Sequence, residues 1–329
     1  MSTACAEARL NPASAARVRL AAAEGPIRYL SGPAADMTPM LHGPALLLAG
    51  GGSDVVEGMQ WQIDQARGCS DCPTKLDMVV LRASGADGYN SMLSEFRGVD
   101  SIESMVFSNR ASADSAAVYQ TVARAEAIFF AGGDQCLYMK YFKGTAVEKA
   151  VREVYARGGS VGGTSAGLAI QGSTVYDACS GSVTTPEALK NPFDPAISFS
   201  SGLFAWPAMQ QTITDTHFSQ RDRMGRLLAF LARQQAAGAP RTRGLAVDEA
   251  TSVGVDARGQ ARVFGAHQAY VVEADHKPEI CVPGRPLSYS GYRVWKFNPG
   301  NVFDLAHLLP DQAYSLNVDN GQIQPGSTR

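Results

Sequence analysis

The sequence predicts an α/β fold, a mainly parallel sheet flanked by helices in three layers (αβα), with a β-rich C-terminal part. Two observations carry that expectation. From Pro44 onward, apolar runs of strand length alternate with amphipathic segments, the βαβα order that pairs strands in parallel and leaves helices to cover both faces. Two of those runs end in glycine-rich turns, Gly132-Gly133-Asp134-Gln135 and Gly163-Thr164-Ser165-Ala166-Gly167. Open parallel sheets place their ligands at such strand ends.

Taken in order, residues 45–48, 76–81, 105–107, 127–130 and 160–162 read as strands, and 55–67, 112–124 and 145–157 as helices. The turn Gly50-Gly51-Gly52-Ser53-Asp54 lacks both G-x-G-x-x-G spacing and a Walker lysine. It reads as a tight βα turn with Ser53 or Asp54 capping the next helix. Residues 179–211, rich in Ser, Pro and Asn, read as loops beside a site. A long helix follows, with Met224, Leu227, Leu228 and Leu231 as its apolar stripe, Ser219 and Asp222 as a capping box, and a regular start near Gln220. Residues 244–255, 261–264 and 269–273 alternate like strands. The expected division is an unassigned extension over 1–43, one α/β domain carrying the site over 44–283, and a C-terminal extension over 284–329 packed on that domain.

The chain has 329 residues, is 45% hydrophobic and carries a net charge of -2, without any Lys/Arg block. That balance is wrong for nucleic acid. The apolar runs fall far short of the ~20 residues of a membrane helix. No secretory apolar stretch stands in the first thirty residues, which leaves two readings, a cytoplasmic protein or one exported after loss of a leader. Cys69 and Cys72 form a C-x-x-C with no second pair at zinc spacing, so no metal site is expected. A disulfide in an exported protein and free thiols in a cytosolic enzyme stand side by side for them, and Cys179 and Cys281 have no assigned partner.

Ser165, in G-x-S-x-G, is placed as a nucleophile on a strand-to-helix elbow. Its hydroxyl needs a base. Of five histidines, His217 sits in a loop ahead of the long helix, where an imidazole can lean over a strand end. Asp248 and Glu249 end an apolar strand, and only one of two neighbours can face that imidazole. The order Ser, His, acid differs from the Ser, acid, His order of α/β-hydrolases.

Four stretches together resemble the motifs of cyanophycinases, serine exopeptidases of peptidase family S51 related in fold to class I glutamine amidotransferase domains. They are Phe130-Ala131-Gly132-Gly133-Asp134-Gln135, Gly162-Gly163-Thr164-Ser165-Ala166-Gly167, Asp215-Thr216-His217-Phe218 with Arg221, Arg223 and Arg226, and Gly244-Leu245-Ala246-Val247-Asp248-Glu249. The resemblance implies Ser165 as nucleophile, His217 as base, Glu249 rather than Asp248 as the orienting acid, and an oxyanion hole from the backbone N–H groups of Gly133 and Ala166. It also implies a homodimer without metal or cofactor. The implied substrate is cyanophycin, poly-aspartate with arginine on each β-carboxyl, cut from its C-terminal end through an acyl-enzyme into β-Asp-Arg dipeptides.

Gln135, Asp215, Thr216, Arg221, Arg223 and Arg226 match the substrate-binding pattern of that family. On a regular helix Arg223 and Arg226 are neighbours and Arg221 lies far around the wheel. Arg221 and Arg223 are therefore expected in the site and Arg226 on the more exposed arc. Thr216 stands where the family most often has glutamine, which bears on substrate identity. The alternatives are an aspartyl or isoaspartyl dipeptidase of the same group, whose members would lack the arginine cluster, and a catalytically silent binding module, which would need no Ser, His and acid together.

Overall fold

The computed structural model describes residues 19–20 and 25–326. In chain order the strands are β1 (Arg19–Leu20), β2 (Ile27–Ser31), β3 (Ala45–Ala49), β4 (Leu76–Arg82), β5 (Val99–Val106), β6 (Ala127–Phe130), β7 (Ser160–Thr164), β8 (Thr174–Tyr176) and β9 (Phe199–Ser201). They continue with β10 (Thr212–Asp215), β11 (Thr242–Val247), β12 (Thr251–Val255), β13 (Gln260–Gly265), β14 (Ala269–Ala274), β15 (Tyr289–Phe297), β16 (Val302–Asp304), β17 (Tyr314–Asp319) and β18 (Gln322–Pro325). The helices are α1 (Val56–Arg67), α2 (Asn90–Leu93), α3 (Arg110–Ala113), α4 (Ala116–Arg124), α5 (Gln135–Phe142), α6 (Ala146–Ala156), α7 (Ala166–Ala169), α8 (Thr185–Lys190) and α9 (Met224–Ala236). None of the described helices is long and apolar enough to cross a membrane.

Two sheets result. The first runs β1-β2-β5-β4-β6-β7-β3-β12-β13-β16, and its centre, β5-β4-β6-β7-β3, is parallel. The second runs β18-β17-β15-β14-β11-β10-β8-β9 and is parallel only where β10 meets β11 and β8. The fold is α/β with a β-rich C-terminal part, and its sheets are mixed. One face of the parallel centre, through Leu47, Met78, Val80 and Phe129, packs on Met59, Ile63 and Ala66 of α1 and Leu93 of α2. Its other face, through Leu46, Leu81 and Phe130, shares a core with Val118, Val122, Val151 and Val154 and with Leu245, Val247, Val271 and Trp295 of the second sheet. The far side of that sheet is covered by Leu227, Leu228 and Leu231 of α9. Alternating side chains that are apolar on both faces suit strands sandwiched in this way.

Several expectations need correction. Helix 112–124 is two pieces, each opened by a side-chain cap: Asn109 accepts from Ser112 N–H at 2.8 Å and Ser115 from Val118 N–H at 3.2 Å. Residues 244–255 are two strands, because the chain turns at Asp248-Glu249-Ala250 and leaves one sheet for the other. The segment 179–211 contains α8, where Glu187 accepts from the N–H (2.8 Å) and hydroxyl (2.7 Å) of Thr184. The tail beyond Pro283 supplies the nine-residue β15, and β2 from the N-terminal stretch closes one side of the parallel centre. Cys69 pairs with Cys72 and Cys136 with Cys179, while Cys281 is a buried thiol.

Candidate active site

Ser165 leaves β7 at φ 53° and ψ -115°, a left-handed conformation that costs a residue with a Cβ about 1–3 kcal/mol. Backbone bonds hold it there. Its N–H donates to Ala49 O at 3.0 Å, and its carbonyl accepts from the N–H groups of Leu168 (3.0 Å) and Ala169 (2.9 Å). The flanking glycines are required by close approach: a Cβ on Gly163 would lie 2.5 Å from Gly167 O, and one on Gly167 2.2 Å from Phe130 O. Helix α7 thereby turns straight back over the sheet, and the serine hydroxyl stands at its edge.

His217 comes from the second sheet, two residues past β10, and is also left-handed at φ 46°. Its Nε2 lies 2.7 Å from Ser165 Oγ, and its Nδ1 lies 2.6 Å from Glu249 Oε1. An ionised carboxylate only accepts, so Nδ1 carries the proton and Nε2 is free to take one from the serine. Burial lowers the imidazole pKa below 6.5; Glu249 opposes that shift, and the Arg221 and Arg223 charges add to it. The ring is therefore a neutral base at pH 7. Asp248 faces the other way and is spent on structure, accepting from Ser219 N–H at 2.8 Å and Gln268 N–H at 3.1 Å.

The glycine turn after β3 caps nothing: α1 has Val55 at its N-cap position and no side-chain cap there. Sequence reasoning set this turn aside. It is the bed of the imidazole. His217 N–H donates to Gly50 O at 2.8 Å, Ala250 N–H to Gly51 O at 2.8 Å, and a Cβ on Gly51 would lie 2.3 Å from His217 Cε1. Gly51 also holds φ 105°, which few other residues adopt. Three consecutive glycines closing a central strand were the available signal.

The arginines arrange themselves otherwise than a regular helix predicts. Helix α9 starts at Met224, Asp222 is left-handed at φ 48°, and Ser219 bonds Asp248 instead of capping. Arg221 and Arg223 thus lie in an irregular turn, its bonds running from Arg221 N–H to His217 O and from Arg223 N–H to Phe218 O, each 3.0 Å. Arg226, expected on an exposed arc, is buried with its side chain 4% accessible. It grips Asp215 with Nε–Oδ2 at 2.8 Å and Nη2–Oδ1 at 2.5 Å, beneath the Tyr176 ring. Arg223 Nη1 donates to Thr216 O (2.8 Å) and Thr216 Oγ1 (3.1 Å) and lies 3.6 Å from Asp215, and burial draws its pKa down to about 10. The short Thr216 side chain therefore orients an arginine. Arg221, its side chain 52% accessible, lies 3.9 Å from Glu249.

Gln135 opens α5, half-buried, with Asp134 capping the helix through Cys136 N–H at 2.8 Å. The Cys136–Cys179 bridge ties this helix start to the segment after β8. Gly132 lies against Ser165, its Cβ position 3.6 Å from Ser165 Cβ. Among the described residues, the N–H groups of Gly133 and Ala166 meet no acceptor. Free backbone donors on the residue after Ser165 and on the residue after Gly132 are of the kind that suits a developing oxyanion.

The α/β framework with this strand-end site is matched by a family of peptidases. The chain belongs to peptidase family S51, whose model matches residues 90–256. Cyanophycinase from Synechococcus elongatus is 25% identical over 288 residues, covering 85% of this chain and 82% of that protein. Cyanophycinase from Trichormus variabilis is 27% identical over 277 residues, covering 82% and 88%. The crystal structure of a peptidase from an acI-B1 Actinobacterium superimposes with a TM-score of 0.53 at 14% identity, over 80% of this chain and 98% of that one, and shares its fold.

Proposed function

We propose that this peptidase is a serine-type exopeptidase that hydrolyses cyanophycin to β-Asp-Arg dipeptides. The observation that carries the serine mechanism is the unbroken hydrogen-bonded chain Ser165–His217–Glu249, 2.7 Å and 2.6 Å long, on a left-handed elbow. His217 Nε2 takes the hydroxyl proton as Ser165 Oγ attacks the carbonyl, and Glu249 steadies the imidazolium. The Gly133 and Ala166 N–H groups hold the oxyanion. Collapse passes the proton to the leaving amine and leaves an acyl-enzyme, which water opens by the same steps in reverse.

The substrate reading is supported by the cyanophycinase relatives and by the mixed charge beside the serine. Because Arg226 already satisfies Asp215, Arg221 and Arg223 are the guanidinium groups left to meet substrate carboxylates, with Gln135 and Thr216 alongside. The Cys136–Cys179 bridge supports an oxidising compartment, hence the exported reading. Incubation with purified cyanophycin and identification of the products by mass tests the whole proposal. β-Asp-Arg must appear, and an acylating serine reagent must label Ser165 and abolish its release. Cleavage of simple aspartyl dipeptides with the polymer left intact would replace this reading with that of a dipeptidase.

A further inference from the structure

Arg223, Arg226 and Asp215 occupy one flank of Ser165. The other face of the first sheet, where Tyr89 packs beside α1 and α2, carries a second set of opposite charges that the reaction above does not use. Arg82 ends β4, Asp54 lies in the turn after β3, and the order β4-β6-β7-β3 sets the serine elbow between them. Contacts lead from both to the reacting atoms. Two residues before Asp54, a Cβ on Gly52 would lie 3.0 Å from Glu249 Cβ. Two residues after Arg82, Ser84 Oγ is 3.6 Å from the Cβ position of Gly133, next to the Gly132 that abuts Ser165.

Tyr89 joins the pair and keeps its members apart. Its hydroxyl donates to Asp54 Oδ1 at 3.0 Å, and Arg82 lies over its ring, 5.7 Å from the centroid. Arg82 Nε is spent on Ser84 O at 3.0 Å. Among the described residues, no carboxylate lies within ion-pair distance of Arg82 and no cation within that of Asp54. Burial raises the Asp54 pKa, as expected of a half-buried carboxylate without a counter-ion. A guanidinium and a carboxylate held on one phenol, each lacking its opposite, are complementary to a ligand that brings one of each.

We infer that Arg82, Asp54 and Tyr89 form a second subsite, which takes the carboxylate and the guanidinium of the polymer repeat across the scissile bond from the one held beside Arg223. This rests on the cyanophycin reading above. Arg82→Gln and Asp54→Asn should each raise KM for the polymer roughly 10- to 100-fold, the worth of a charge-assisted hydrogen bond, with kcat changed far less. Tyr89→Phe keeps the ring and should raise KM by less, and Arg82→Lys should recover part of the Arg82→Gln loss. Melting temperature reports folding for each variant. Folded Arg82→Gln and Asp54→Asn proteins with wild-type KM overturn the subsite while the polymer reading stands. A wild-type protein that leaves the polymer intact overturns both.

Discussion

Gly51→Ala puts the active-site geometry to its sharpest test, because the substitution adds one methyl group and replaces no proposed reacting group. The new Cβ would stand 2.3 Å from His217 Cε1, where ordinary contact begins near 3.4 Å. Either the imidazole or the turn must retreat by roughly 1 Å, and a displacement of that size costs on the order of 10²-fold in rate. The ring cannot slide freely, since Gly50 O holds the His217 N–H and Glu249 holds its Nδ1. Its Nε2 is therefore carried away from Ser165 Oγ, beyond hydrogen-bond reach. Alanine at φ 105° adds about 1–3 kcal/mol of strain, so the melting temperature should fall by a few degrees and the fold survive. The assay is kcat/KM on cyanophycin together with the rate of Ser165 labelling by an acylating reagent, and both should drop on the order of 10²-fold. A folded Gly51→Ala protein that keeps wild-type rates in both would refute the view that this turn positions the base.

The adjacent acids should separate cleanly. Glu249→Gln should cut kcat by up to ~10⁴ and leave melting nearly unchanged, whereas Asp248→Asn, which sets an amide against one of two backbone donors, should cost about 1–3 kcal/mol of stability. The opposite pattern would reverse their roles. Arg226→Ala should cost about 3–5 kcal/mol by taking from the buried Asp215 carboxylate the guanidinium that grips both its oxygens and leaving only Arg223 at 3.6 Å, and Asp215→Ala in the same chain should recover part of that loss. A wild-type melting temperature for Arg226→Ala would contradict it. The His217 pKa is lowered, so its basic form persists into mild acid, and kcat/KM should lose its acid limb only below pH 6.5. Arg221→Ala removes a repelling cation, eases protonation and should move that inflection upward; a downward shift would show that the charge acts otherwise.

The residues of the candidate site were more legible in the sequence than the details of the frame that brings them together. G-x-S-x-G is legible because the contact that demands Gly163 closes inside the motif itself, Gly163 against Gly167. The same holds for β6, whose four residues are apolar on both faces. The arginines were misread because a helical wheel assumes a regular start. Bonds from His217 and Phe218 to the following turn, and from Asp248 to Ser219, delay α9 to Met224 and turn Arg226 inward. Those partners are up to 29 residues away, and no local propensity reports them. The Gly50–Gly52 turn was missed for a related reason: the imidazole that requires its bareness comes from the other sheet.

The three proposed reacting residues have different origins. Ser165 stands on the first sheet, His217 on the second, and Glu249 in the short passage where the chain crosses between them. Neither sheet alone holds the proposed site, since the Ser165 hydroxyl and the His217 imidazole meet only while the two are seated together. On the proposed mechanism, a shear of an ångström along that seam would silence the enzyme with every strand intact, and catalysis would measure how firmly the halves are joined.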